Sequence, residues 1–213
     1  MTQIDREKYM DEREVEQLRR VAEAHAITDL EAGRCQGVLT WAVVDVALQT
    51  GLRVSELARL KVGDFDPRRQ SLKVWRHKRR RQIHETTAIS RDLGRHLKAF
   101  IRWLHDTGRG TGPDDPLFMG KRGGLTARGL QQIWKGAVKR AGLPAEISIH
   151  AARHTLAVHL LRKTGNLRLI QKQLGHSSPS TTANMYADIT FEDMQEGVDG
   201  VYDRDQERRA DRA

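Results

Sequence analysis

In Thr50-Gly51-Leu52-Arg53-Val54-Ser55-Glu56-Leu57 an apolar helix ends on glycine and an arginine opens the next element. Residues 36–50 read as that helix, with Val38, Trp41, Ala42, Val46 and Leu48 in a broad apolar band. Gly51 is a natural helix stop because it enters the left-handed region at no steric cost. Residues 54–60 then read as a short helix, which leaves Arg53 in the turn between the two. Taken alone, Arg53 is a surface arginine paired with Glu56, three residues on.

Working outward, Asp11-Glu12-Arg13-Glu14 has capping-box spacing, so a helix is expected to begin there, with Val15, Leu18, Val21 and Ala22 on one face. Downstream of the short helix come strand signals at Lys61–Asp64, Ser71–Arg76 and Ile83–Ile89, with a basic turn between the last two. Ser90 caps the next helix, in which Leu93, Leu97, Ile101 and Leu104 form one stripe. The Gly-rich run 108–113 is a loop. Thr126 opens a helix to about Ala141, closed by Gly142. His150–Thr164 and Asn166–Leu174 are helical, stopped by Gly165 and Gly175. The expectation is a mostly helical α+β domain with a small three-stranded antiparallel sheet. It divides into a flexible N-terminus at 1–10, a catalytic body at 11–188, and an amphipathic helix with a charged tail at 189–213.

The 213 residues carry a formal net charge of +9, unevenly spread. From Asp188 onward nine acidic and four basic residues give −5, so residues 1–187 carry +14. Such a body favours a polyanionic partner, because lysine and arginine displace counterions condensed on phosphates. The single cysteine, Cys35, excludes an internal disulfide and a cysteine-based metal site. No apolar run approaches the roughly 18–20 residues that span a bilayer, and the charged opening is unlike a secretory signal, so the cytoplasm is expected. No histidine pair has metalloprotease spacing and no Gly-x-x-x-x-Gly-Lys-Ser/Thr loop occurs, so neither a metal nor a nucleotide cofactor is expected.

Four further pieces complete a set with Arg53. They are a lysine in the basic run Trp75–Arg81, His150-Ala151-Ala152-Arg153-His154, Leu174-Gly175-His176, and Thr181-Thr182 leading to Tyr186. Cleaving a phosphodiester with a side chain requires neutralised non-bridging oxygens, an in-line nucleophile, and a proton for the leaving 5′ oxygen. Arginine suits the first task through its planar, permanently charged fork. His150 and Arg153, three apart, share a helix face, with His150 at an N-terminus whose unpaired amides favour phosphate oxygens. His176, directly after a glycine stop, sits on a tight turn. Tyrosine's ordinary pKa of about 10 means that Tyr186 needs a nearby base or a positive field before it can attack phosphorus. The two arginines supply the field and His150 is a plausible proton acceptor.

In these segments the chain resembles the tyrosine recombinases, the integrase family, over residues 10–188. Thr50–Leu57 resembles the family's first arginine box and Arg153-His154-Thr155-Leu156-Ala157 its second. Ala152 departs from the larger apolar residue usual there. Tyr186 lies ten residues after His176, where many relatives use nine. The resemblance implies that Arg53, Arg153 and His176 hold the phosphate and that Tyr186 attacks it. It also implies that a lysine in the hairpin, here Lys78, protonates the leaving oxygen. Arg76, Arg79, Arg80 and Arg81 are expected on DNA phosphates, each adding about 0.9 to the salt slope where engaged. Lys121 and Arg122, in the turn Gly120–Gly124, are expected near DNA as well.

Double-stranded DNA is the expected partner. Phe191, Met194, Val198 and Val201 line one face of a C-terminal helix, and the resemblance implies self-association through it, from dimer to tetramer. In size the chain is similar to the small fimbrial-switch recombinases; residues 1–10 are too few for the second DNA-clasping domain of larger members, which is either naturally absent or lies in a longer chain of which this is a piece. Salt-sensitive DNA binding is expected. The rival readings are a type IB topoisomerase, which would relax DNA without a recombinant product, and a DNA-binding regulator that keeps the fold. The second would tolerate Tyr186→Phe.

Overall fold

The computed structural model describes residues 9–78, 81–120 and 123–175. Helix α1 (Glu12–Glu31) opens on the expected capping box: the Asp11 carboxylate accepts from the Glu14 amide at 2.8 Å, and the Glu14 carboxylate accepts from the Asp11 amide at 2.9 Å. Leu18, Ala22 and Ala26 face inward. Helix α2 (Gln36–Thr50) is apolar almost all round and lies at the centre. It packs against α1 and against α4 (Arg91–Asp106), α5 (Ala127–Arg140) and α6 (Ile149–Thr164). A helix buried on every side has no need of a polar face, which is why α2 reads as a broad band and not a stripe. Helices α4 and α5 start on the expected caps, with the Ser90 and Thr126 hydroxyls accepting from Leu93 and Gly129 amides at 3.0 and 3.2 Å.

The turn from α1 to α2 is held by buried Asp29. Its carboxylate accepts from Arg34 Nε at 2.8 Å and from the Gly37 amide at 2.6 Å. The Arg34 hydrogen bond, then the Gly37 amide, keep this carboxyl below its ordinary value of 3.8. A folded-state pKa below the unfolded one gives stability that is complete above the unfolded value and lost as pH falls through the folded one. Asp29→Asn is therefore expected to lose less stability than the parent between about pH 6 and about pH 3, measured as the urea midpoint at each pH.

The three-stranded antiparallel sheet forms as expected, in the order β1 (Phe65–Asp66), β2 (Ser71–Lys78), β3 (Arg81–Ala88). Its first strand is displaced from the sequence expectation. Residues Val62–Asp64 form a 3₁₀ turn, because the Asp64 carboxylate folds back onto the Lys61 amide at 2.8 Å and Gly63 is pressed against Pro113. Strands β2 and β3 pair through the whole basic run, from Ser71↔Ala88 to Lys78↔Arg81. The segment read as a plain turn at Gly120–Gly124 is a small hairpin, β4 (Met119–Gly120) with β5 (Gly123–Gly124). Helix α7 (Leu167–Leu174) is capped by Asn166, whose side chain accepts from the Leu169 amide at 3.0 Å. Helices α2, α6 and α7 end on Gly51, Gly165 and Gly175, all left-handed.

Candidate active site

The site grows from the Gly51 turn. Arg53 is extended, with φ −64° and ψ 148°, just before α3 (Val54–Leu57). Both of its nitrogen systems reach one carboxylate: the Arg53 amide donates to Glu56 Oε2 and its Nη1 donates to Glu56 Oε1, each at 2.8 Å. Glu56 is buried, while the Arg53 side chain is 42% exposed. The ion pair anchors the guanidinium at one edge.

Arg153, on the first turns of α6, is buried and bridges two chain segments distant in sequence. Nη1 donates to the Gly51 carbonyl and Nη2 to the Leu174 carbonyl, both at 2.8 Å. Two of the five guanidinium N–H groups are thus used on backbone, and among the described residues three remain. Burial, followed by the Arg53 charge, pulls its pKa down to about 10, with Glu56 opposing. It therefore stays cationic at neutral pH. Gly51 is required at this junction. A Cβ there would lie 2.7 Å from Leu174 Cδ2 and 3.1 Å from Leu156 Cδ2, in a backbone at φ 61°.

Arg76 corrects a sequence expectation. The basic run places it on DNA phosphates, but its side chain is 1% exposed and its two terminal nitrogens are held inside the protein. Nη1 donates to Glu85 Oε2 at 2.7 Å, and Nη2 donates to Thr87 Oγ1 and the Gln173 carbonyl, each at 3.0 Å. Its Nε lies 3.8 Å from the same Glu56 oxygen that Arg53 holds. The physical reason is strand alternation: Leu72, Val74 and Arg76 are every second residue of β2 and share its buried face. That signal was present in the sequence and was masked by the run of cations. Glu85, Thr87 and Gln173, which complete the network, were not anticipated.

Among the described residues Arg53, Arg76 and Arg153 meet two carboxylates, Glu56 and Glu85, an excess of one positive charge. His150 is the second residue of α6, exposed at the N-terminal end of the helix that carries Arg153. His154 is exposed one turn further on. Lys78 is placed by backbone pairing with Arg81 at the turn end of the β2–β3 hairpin. The side chains of Lys78 and Arg81, and all of Arg79, Arg80, Lys121, Arg122, His176 and Tyr186, lie outside the described residues, as does the helix expected at 189–213. Among the described residues no cluster of histidine, cysteine and carboxylate could hold a metal, and no helix is long and apolar enough to cross a membrane.

The sequence pattern of the phage integrase family matches residues 8–193, and the chain belongs to that family, the tyrosine recombinases. It is 30% identical over 186 residues to tyrosine recombinase XerC of Haemophilus ducreyi, covering 87% of this chain and 59% of that protein. It is 32% identical over 166 residues to tyrosine recombinase XerD of Corynebacterium glutamicum, covering 76% and 52%. The chain thus spans little more than half the length of the curated relatives it matches. Among solved structures it resembles XerA recombinase, with TM-score 0.71 and 25% identity over 91% of this chain and 63% of that one. XerH site-specific recombinase, solved on its difH substrate before cleavage, shares the fold at TM-score 0.66 and 21% identity, over 84% and 50% of the two chains.

Proposed function

We propose that this chain breaks and rejoins DNA strands at a specific site through a covalent 3′-phosphotyrosyl intermediate, with Tyr186 as nucleophile. The observation that carries the reading is the convergence of Arg53 and Arg153 on the Gly51 turn, with spare Arg153 donors and one net positive charge among the described residues. That arrangement suits a phosphodiester, which is a monoanion with two non-bridging oxygens. Preorganised donors aimed at developing charge supply the largest share of such catalysis.

In the cleavage step the Tyr186 oxygen forms a bond to phosphorus while the bond from phosphorus to the 5′ oxygen breaks. The tyrosine proton passes to His150, and Lys78 gives a proton to the 5′ oxygen. Arg53, Arg153 and His176 hold the non-bridging oxygens throughout. The phosphotyrosyl ester keeps the energy of the broken bond, so a 5′ hydroxyl from another strand reverses the step without a nucleotide or metal. Arg79, Arg80, Arg81, Lys121 and Arg122 serve as phosphate contacts that set affinity and salt sensitivity. The partners are double-stranded DNA and further copies of this chain, dimer to tetramer, assembled on the site. The setting is the cytoplasm of a bacterium.

The test is incubation with nicked candidate DNA, then mass analysis of tryptic peptides. The expected product is a nucleotide adduct on the peptide Gln173–Arg204, with fragment ions placing it at Tyr186 and not at Tyr202 of the same peptide. Tyr186→Phe is expected to abolish it. An adduct elsewhere, or persistence in Tyr186→Phe, removes the proposal. Supercoil relaxation with no recombinant product would make the protein a topoisomerase.

A further inference from the structure

We infer that Arg76 is a positioning residue: it fixes the β2–β3 hairpin against the end of α7, and so sets where Lys78 meets the bound phosphate. The inference rests on the functional reading above. A buried guanidinium has to be held by partners that repay its desolvation, and those partners show what it joins. Glu85 and Thr87 belong to β3, while the Gln173 carbonyl belongs to the last turn of α7. Glu56, which anchors Arg53, lies 3.8 Å from its Nε. One side chain thus touches the hairpin, the helix that leads to His176, and the carboxylate that orients the first arginine.

The same junction is tied a second time. The Gln173 side chain donates to the Ala88 carbonyl at 2.8 Å and accepts from the Ala88 amide at 3.3 Å, prolonging the edge of β3 onto the helix. The next carbonyl, that of Leu174, is taken by Arg153. The unpaired carbonyls that end a helix are its negative pole, and here two guanidiniums cap two of them in succession. Arg153 refers the helix end to the Gly51 turn, and Arg76 refers it to the hairpin. Without Arg76 the phosphate-holding side remains tied together, while the lysine-bearing hairpin keeps the Gln173 contacts at Ala88 and loses the tie nearer its turn.

This account predicts a selective defect. Protonating a 5′ oxygen requires the acid in place, whereas a 5′ sulfur leaves without a proton because a thiol's pKa is about 8.5. Arg76→Lys keeps the charge and loses the fork. On a nicked site with the natural oxygen its single-turnover adduct rate should fall about 10- to 100-fold, the size expected for an acid displaced by a fraction of an ångström. On the same site with sulfur at the scissile 5′ position the rate should equal that of the parent, and Lys78→Ala should show the same pattern more strongly. Equal slowing on both substrates would make Arg76 a purely structural residue and overturn the inference. No slowing on either would do so too, as would failure of sulfur to rescue Lys78→Ala. Absence of any adduct from the parent protein would sink the functional reading itself. If circular dichroism shows Arg76→Lys unfolded, Thr87→Val removes one acceptor of Nη2 with little change of shape. It should give the same oxygen-selective slowing at a smaller, few-fold size.

Discussion

Arg153→Lys is expected to form the DNA adduct about 10²–10³-fold more slowly than the parent, the cost typical of losing one preorganised charge-stabilising donor. Lysine keeps the positive charge, so a large loss would report geometry and not field. The guanidinium fork spans the Gly51 and Leu174 carbonyls at 2.8 Å each, and a single ammonium cannot reproduce that planar bridge and also face a phosphate. At least one buried carbonyl loses its donor, which costs about 1–3 kcal/mol of stability. Arg53→Lys provides the contrast. The Arg53 side chain is 42% exposed and donates from its Nη1 to a carboxylate that ammonium can also meet. Its rate loss should be of similar order while its urea midpoint stays close to that of the parent. Measuring both quantities for both variants separates the arginine that builds the site from the arginine that only serves it. If Arg153→Lys cleaves at the parental rate, the phosphate is not held by this fork.

Much of this frame is legible in the sequence, because its signals are local. The capping box at Asp11, the hydroxyl caps at Ser90 and Thr126, and the glycine stops at Gly51, Gly165 and Gly175 each depend on chemistry within a few residues. The strand expected at Lys61–Asp64 failed for an equally physical reason. Asp64 offered its own backbone a side-chain acceptor, and that local alternative won over a ladder. Arg76 was misplaced because composition and periodicity disagreed: the basic run suggested a solvated turn, while alternation with Leu72 and Val74 placed it inside. In a paired strand the alternation decides. Glu85 and Thr87 lie 9 and 11 residues from Arg76 on the paired strand, within the hairpin itself, whereas the Gln173 contact is beyond reach because it depends on how the hairpin meets α7, 97 positions from Arg76. The pairing of Arg153 with the Gly51 carbonyl was hidden by a similar distance, although both residues had been singled out for their motifs.

Gly175→Ala should be far more damaging than the same change at another left-handed helix end, and the comparison isolates the cause. Gly165 closes α6 at φ 59° and Gly175 closes α7 at φ 68°, so the backbone strain of alanine is nearly the same, about 1–2 kcal/mol at each. The surroundings differ. Among the described residues a Cβ at Gly165 meets nothing within 4 Å, whereas one at Gly175 would overlap the Arg76 guanidinium itself. The end of an arginine side chain usually swings aside at little cost, but here it is 1% exposed and leaving would strip donors from Glu85, Thr87 and the Gln173 carbonyl. Breaking a buried, hydrogen-bonded charge pair costs about 3–5 kcal/mol, so Gly175→Ala should lower the urea midpoint several times more than Gly165→Ala. The double variant Arg76→Ala with Gly175→Ala completes the cycle. With the guanidinium already gone, the further loss from Gly175→Ala should shrink to the size seen at Gly165. If the effects of Arg76→Ala and Gly175→Ala simply add, the packing of Arg76 on this turn is not what fixes the end of α7, and its assignment as a positioning residue falls with it.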